Sequence, residues 1–205
     1  TDNDVASKIV SIVPTYNASF EIPTEPVRVS PGSSTTASPT VRSTGRLAGT
    51  WSLSIDDSEL PEGWTWSDST QEGISNVEIG VDDTWSPDLT ITAPSEALGS
   101  DSGYLSLTLT LDEDSNVSVS ANLPIEANRT RGLSLRGPDG TSQSSGYGLP
   151  GQDAEAWFMA ENLGNAEEDQ ILLSWDSTPW GNDLRLYDME GAERSALILA
   201  PGEEL

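Results

Sequence analysis

The feature that most constrains this chain is that it nearly repeats itself. Residues 4 to 19 (DVASKIVSIVPTYNAS) run alongside 114 to 130 (DSNVSVSANLPIEANRT), with Pro14 falling on Pro124 and the Asn17 sequon on the Asn128 sequon, offsets of 110 and 111. Pro31-Gly32 then matches Pro150-Gly151 and Gly45 matches Gly164, both at an offset of 119. Trp51, Leu53 and Ile55 match Ile171, Leu173 and Trp175 at an offset of 120. Such drift is what loop insertions between fixed strands produce. Residues 1–13 are therefore expected to be the last strand of a preceding repeat, 14–127 one complete unit and 128–205 the first part of the next. At 197–205 (LILAPGEEL) the second copy has reached the point where the first still has VEIGVDDTWSPDLTITAP and the 105–121 hairpin ahead. The chain reads as a window cut from a longer tandem array.

Within the complete unit the apolar residues recur every second position, the period of a half-buried strand. Val27 and Val29 precede the Pro31-Gly32 turn, and the stretch from Val41 to Trp66 reads as a β-meander with one buried face, Trp51, Leu53 and Ile55 alternating with Thr50, Ser52 and Ser54. Val77, Ile79 and Val81 follow, then Leu89, Ile91 and Ala93. Leu105, Leu107, Leu109 and Leu111 alternate with Ser106, Thr108 and Thr110, and Asp112 to Asn116 turns that strand into Val117, Val119 and Ala121. About seven short strands in ~110 residues, broken by turn signals every 8–12, is the pattern of an immunoglobulin-like sandwich. In the second copy Ala156, Phe158 and Ala160 are expected to face one way, and Leu184 and Leu186 to supply a further strand. Asp153 to Glu161 is rich in Ala and Glu, but its repeat alignment assigns it to a strand, and residues 122–132 (NLPIEANRTRG) read as the linker between units. The expected fold is all-β: tandem immunoglobulin-like β-sandwiches, the second one truncated.

Composition excludes several functions. A net charge of −25, with eight Arg and only Lys8 against 34 acids, repels nucleic acid and anionic lipid headgroups. The same balance suits salty surroundings, where screening shortens self-repulsion, and points to a marine or halophilic source. With no Cys and no His, the chain lacks thiolate chemistry and the usual general base and transition-metal ligand. Its many Ser residues have no His partner for a triad. No apolar run approaches the ~18–20 residues of a membrane span, so membrane insertion by this fragment is not expected.

Three short motifs carry a resemblance. Asn162-Leu163-Gly164-Asn165, followed by acidic residues and a strand, resembles the N-x-G-N turn of secreted prokaryotic Ig-like repeats, the CARDB-like and alpha-galactosidase-associated families. Leu60-Pro61-Glu62-Gly63-Trp64 resembles their LP-x-GW segment, and Ala200-Pro201-Gly202-Glu203 their APGE turn. The first unit departs from the pattern, with Ser43-Thr44-Gly45-Arg46 and Val81-Asp82-Asp83-Thr84 at the matching turns. The resemblance implies an extracellular or cell-surface spacer or adhesive module from a large archaeal or marine protein. It brings no catalytic residues with it.

The candidate sites are few. Neighbouring acids at Asp56-Asp57, Asp82-Asp83, Glu167-Glu168-Asp169 and Glu203-Glu204 sit in turn-like contexts, where solvation keeps carboxylates ordinary rather than catalytic. Asp112-Glu113-Asp114-Ser115-Asn116, with its counterpart Asp2-Asn3-Asp4, could supply oxygen ligands to calcium, although Asp and Asn also populate any hairpin turn. Candidate glycosylation sites are Asn17, Asn116 and Asn128. Trp51 and Trp175 read as core, whereas Trp64, Trp66, Trp85, Trp157 and Trp180 could anchor loops or form a sugar-stacking platform. The expected function is a non-catalytic structural or adhesive repeat, its partners being neighbouring repeats and a cell-surface protein or glycan. The competing expectation is a carbohydrate-binding or calcium-binding accessory module of a secreted hydrolase.

Overall fold

Alternation of leucine with hydroxyl residues along 102–111 can satisfy the backbone and hide one face only by pairing on both sides, and that strand lies inside the largest sheet. A computed structural model describes residues 15–70, 73–149, 151–152, 155–166, 169–172, 185 and 187–205. Every regular element among them is a strand: β1 (Ala18–Glu21), β2 (Val27–Val29), β3 (Ser34–Ala37), β4 (Thr40–Ser43), β5 (Gly49–Asp56), β6 (Thr65–Asp68), β7 (Val77–Ile79), β8 (Thr84–Trp85), β9 (Leu89–Thr92), β10 (Ser102–Leu111), β11 (Asp114–Ala127), β12 (Leu133–Arg136), β13 (Met159–Asn162), β14 (Asp169–Leu172) and β15 (Ala196–Leu199). The expected strand at 1–13, together with Leu173, Trp175, Trp180, Leu184 and Leu186, lies outside the described residues.

The chain divides into two compact units, one from the described residues of Thr1–Val27, Thr35–Ile91 and Gly103–Ile125, the other from Arg28–Ser34, Thr92–Ser102 and Glu126–Leu205. The strands order as β2-β11-β10-β5-β7, β1-β4-β8 and β3-β9-β6, with two further pairs, β12-β13 and β14-β15. In the first unit β10 runs antiparallel to β5 with Leu109 opposite Leu53 and Leu111 opposite Trp51, all buried, while Thr108 faces Ser54 on the outer side. β4 pairs with β1 on one side and β8 on the other. The gaps between β3 and β4 and between β8 and β9 are bridged by side chains, Ser38 bonding Asp88 and Thr40 bonding Ser86 at 3.0 Å. The two three-stranded sheets thus form one layer, interrupted at Pro39, which has no N–H to give. Val41, Leu89 and Ile91 on this layer and the inward leucines of β10 are fully buried, which makes the fold an all-β sandwich.

Two expectations are corrected here. Residues 41–66 are not a meander: β4, β5 and β6 belong to three different sheets. Alternation marks a strand with one buried face, but neighbours in sequence can bury that face across the sandwich as well as side by side. Residues 122–127 are not linker either, since β11 continues through Pro124 to Ala127 with Leu123 and Ile125 buried. Only 128–132 separate β11 from β12.

The second unit rebuilds parts of the first. β12 and β13 pair Leu133 with Asn162 and Arg136 with Met159, as β1 and β4 pair Ala18 with Ser43 and Glu21 with Thr40, offsets of 115 and 119. β14 and β15 pair Asp169 with Leu199 and Ile171 with Leu197, as β5 and β7 pair Gly49 with Ile79 and Trp51 with Val77, a constant offset of 120. The edge recurs too, with Asn162 N–H donating to Glu203 O (3.1 Å) where Ser43 N–H donates to Asp83 O (2.9 Å). The APGE turn therefore corresponds to Gly80-Val81-Asp82-Asp83, one residue earlier than the sequence match placed it. Gly202 (φ +73°) and Asp82 (φ +62°) hold the same left-handed position, and Asp is among the few non-glycine types that tolerate it.

Candidate functional site

The acids act locally on backbone. Asp56 Oδ1 accepts Ser58 N–H at 3.0 Å, and this bond, with the Ser58 side chain, holds its carboxyl below the ordinary value. Asp57 Oδ2 accepts Trp66 Nε1–H at 3.2 Å, and Glu203 Oε2 accepts Ala200 N–H at 2.8 Å. Asp114 Oδ1 accepts both the backbone N–H (3.0 Å) and the Nδ2 amide (2.9 Å) of Asn116, the backbone bond being the larger cause of its lowered pKa. Glu96, Asp139 and Asp188 are lowered as well, Asp188 chiefly by Ala192 N–H and then by Arg194, whose Nε lies 2.7 Å from Asp188 Oδ2. A general acid needs the opposite shift. Among the described residues no three acids converge as metal ligands, and the Asp112 to Asn116 hairpin turn is closed by the Asp114–Asn116 bonds. Its counterpart Asp2-Asn3-Asp4, and the pair Glu167-Glu168, lie outside the described residues.

Among the described tryptophans the residues offered as a platform differ in exposure, and Trp180 lies outside the described residues. Trp51 and Trp64 are buried, Trp64 beneath its Pro-Glu-Gly turn. Trp66 and Trp85 are half-buried in the first unit, and Trp157, 55% exposed, belongs to the second beside the exposed Phe158 and Met159. Phe158 thus does not share the buried side with Ala160.

The three sequon asparagines sit in different surroundings. Asn116 is exposed just past the β10–β11 turn. Asn17 is exposed, while its carbonyl accepts N–H from Thr44 (2.9 Å) and Gly45 (3.0 Å). Asn128 is half-buried: its N–H donates to Val29 O (2.8 Å) and its Nδ2 to Ser30 Oγ (3.0 Å). Asn17 and Asn128 are not equivalent in the fold. The bonds that hold 15–17 against 44–46 recur between 130–132 and 163–165, with Arg46 N–H to Thr15 O (2.8 Å) matching Asn165 N–H to Thr130 O (3.2 Å). Gly132, not Asn128, takes the place of Asn17.

Among the described residues an extended polar cluster lies inside the second unit, around the N-x-G-N turn. Asn162, 1% exposed, accepts Gly164 N–H (2.8 Å) and donates through Nδ2 to Leu199 O (2.9 Å), which closes the turn onto β15. Asn165, 8% exposed, uses every polar atom of its side chain. Its Oδ1 accepts Thr130 N–H (2.7 Å) and Thr130 Oγ1–H (3.1 Å), and its Nδ2 donates to Asn128 O (2.9 Å) and Ala97 O (3.2 Å). Its own carbonyl accepts Gly99 N–H at 2.6 Å. Three segments meet at one side chain: the 97–101 loop, the 128–132 linker and the 162–166 turn. A buried amide is tolerated at this cost in solvation only when each donor and acceptor finds a partner, as here.

Glycines allow the approach. A Cβ on Gly99 would meet Arg129 Cγ at 3.0 Å and Asn165 Oδ1 at 3.2 Å, and one on Gly164 would meet Thr130 O at 2.7 Å. From the sequence Asn162 and Asn165 belong to a family-type turn with no site role, Thr130 belongs only to the Asn128 sequon, and Gly99 carries no assignment. The signal available was the spacing itself, a polar residue on each side of a glycine that has no Cβ to clear.

No protein family and no curated protein matches the chain. Among solved structures it is similar to the ASH/PapD-like domain 7 of human CEP192 (11% identity, TM-score 0.38, covering 62% of this chain and 95% of that one). It is also similar to the class 5 fimbriae chaperone CfaA (8%, 0.34, covering 91% and 84%) and the secreted serine protease VesC from Vibrio cholerae (10%, 0.40, covering 92% and 43%). Scores this low carry no weight, and the all-β sandwich is read from the strand registers themselves.

Proposed function

We propose that this chain is a non-catalytic structural repeat, working outside the cell or on its surface as a spacer with adhesive contacts to a surface protein or glycan. The observation that carries this reading is the recurrence of the same registers at offsets of 115, 119 and 120, the build of a tandem array. The N-x-G-N and APGE turns support placing it among secreted prokaryotic Ig-like repeats of the CARDB-like kind, in an archaeal or marine surface protein. Its net charge of −25 argues against nucleic acid and anionic membranes as partners. Asn17 and Asn116, exposed as they are, are the better glycan acceptors; Asn128 has its amide committed to Ser30. The reading is tested by small-angle scattering and electron microscopy of chains carrying increasing numbers of copies. Maximum dimension rising by one increment per copy supports it. Globular clustering of the copies, or saturable sugar binding that quenches Trp157 fluorescence, overturns it in favour of a carbohydrate-binding module.

A further inference from the structure

We infer that a hollow in the second unit, between β15 and the 203–205 edge, is a docking site for residues 7–13 (SKIVSIV) of a second copy of this chain. This deepens the adhesive part of the reading above and rests on its repeat register. The hollow has a volume of about 350 Å³ and is lined by Met189, Ile198, Leu199 and Leu205, with Glu190 and Glu203 beside them. All of these residues belong to one compact unit. Three of the apolar side chains meet water: Met189 is 74% exposed, Ile198 67% and Leu205 41%. The fold does not ask for this. β15 repeats β7 at an offset of 120, so Ile198 stands where the first unit carries Glu78, itself exposed. Leu205, bonded to Ala160 through both N–H and carbonyl, stands where the half-buried Trp85 faces Val41. A register that accepts glutamate at one of these positions has no packing need for isoleucine there, and a leucine in place of an indole leaves room at the same edge.

Charge selects the occupant. Arg194 Nε is held 2.7 Å from Asp188 Oδ2, so these two cancel and Glu190 and Glu203 set the sign at the hollow. Its complement is an aliphatic body that carries a cation. A lysine among aliphatic residues meets that description, its stem lying along apolar surface while its head reaches a carboxylate. Lys8 is the single lysine of the chain, and it stands beside Ile9, Val10, Ile12 and Val13. At the repeat offset of 110, Lys8, Val10 and Ile12 fall on Ser118, Ser120 and Asn122, whose side chains are all exposed along β11. Both halves of the contact thus arise in the same way, by an apolar residue taking an outward position that the first unit gives to a polar one. Segment and hollow are different surfaces, so the contact is heterologous: each copy offers its hollow to the segment of the next.

Sedimentation velocity of the full 205-residue chain tests this, in about 0.15 M NaCl so that repulsion between copies is screened beyond about 8 Å. A contact of small area is weak, so reversible growth in mass is expected between about 10 μM and about 1 mM. Ile198→Glu, which installs the first unit's residue, and Lys8→Glu are each expected to weaken association by about tenfold or more. Mixed in equal amounts, the two variants regain association but stop at dimers, since one keeps its segment and the other its hollow. Should Ile198→Glu lower the Tm, Met189→Ser takes its place and is expected to weaken association by about threefold. A parent chain that stays monomeric overturns the proposal. So does association at the parent level in the hollow variant that keeps its Tm, or a mixture no more associated than its components. A monomer in which Lys8→Glu shifts the Ile198 amide puts the segment in its own chain's hollow and overturns the second copy as occupant. Failure of the spacer reading appears instead in the length of multi-copy chains and leaves this association as it is.

Discussion

Gly45 offers the sharpest test of how the lead-in to each repeat is held. Its φ is not in the left-handed region, so the residue is there for space rather than for conformation. A Cβ on it would lie 2.5 Å from Thr15 O and 2.6 Å from Asn17 N, and both are backbone atoms that cannot swing aside. Gly45→Ala must therefore push residues 15–17 off the turn, breaking the bonds from Thr44 and Gly45 to Asn17 O and from Arg46 to Thr15 O. At about 1 kcal/mol net for each bond, the loss is about 3 kcal/mol. For a chain of this size that corresponds to a fall in Tm of about 6–12 °C, taking about 2–4 °C per kcal/mol. Urea unfolding followed by the fluorescence of buried Trp51 and Trp64 measures the cost, and hydrogen exchange at Thr44, Gly45 and Arg46 locates it. Gly140→Ala is the contrast: φ is +78° with nothing within 4 Å of the added carbon, so only backbone strain of about 1–2 kcal/mol is felt, with no exchange change at 44–46. A Gly45→Ala cost below about 0.5 kcal/mol, the range of an indifferent surface change, with the three amides still protected, would refute the close-approach argument.

Other consequences are read by simpler measurements. Leu109→Ala, opposite Leu53 in the fully buried row of β10, is expected to cost about 3–5 kcal/mol in urea unfolding, and a cost under about 1 would mean the core closes elsewhere. Asp56, Asp114, Asp139 and Asp188 have folded pKa values below the ordinary 3.8, so the stability they lend is whole above that value and is lost as pH falls through the lowered ones. Acid melting should accordingly steepen below about pH 4, and Asp114→Asn should flatten part of that slope. Because the net charge is −25, raising NaCl from 0.1 M to 1 M, which shortens the screening length from about 10 Å to about 3 Å, is expected to raise Tm; a fall would show that attractive pairs outweigh self-repulsion. A double-mutant cycle on Arg136 and Glu161 is expected to give about 0.5–1 kcal/mol of coupling, the pair being partly exposed, and zero coupling would make it ornamental.

The sequence placed the strands of the first unit whose period-2 burial is written residue by residue, as in Leu105 to Leu111 or Leu89 to Ala93, but not β1, β3 or β8, which are short and carry few apolar residues. Pairing was not written there: β4 and β5 each carry one buried face, and alternation cannot tell whether two such faces lie side by side or look at each other. The stretch 122–132 reads as linker from its sequence, yet Leu123 and Ile125 on either side of Pro124 keep the strand in the core. The repeat was legible where geometry admits one residue type, at Gly45 and Gly164. It was misaligned where the matching letters had unrelated duties, as in the sequons at Asn17 and Asn128. Asn165 itself read as one more turn residue, because a polar side chain announces nothing about how many partners it will meet.

The ion pairs on the two rebuilt sheets show what the fold asks of a position. Glu21 and Arg42 sit diagonally across β1 and β4, 4.0 Å apart, and the equivalent places on β12 and β13 hold Arg136 and Glu161 with the charges reversed. Glu204, on the edge beside Glu161, adds a second carboxylate 3.2 Å from Arg136, where the first unit has Thr84. The position requires opposite charges rather than a particular sign. Reversal has a further effect in a chain whose copies share the same strand registers. If β1 paired with β13, Glu21 would face Glu161, and if β12 paired with β4, Arg136 would face Arg42. Each exchange trades an attraction for a repulsion of similar size, so the energy difference between correct and swapped pairing is larger than either salt bridge alone. Exposed pairs of this kind add little to stability, but in a tandem array they help each strand find the sheet of its own repeat.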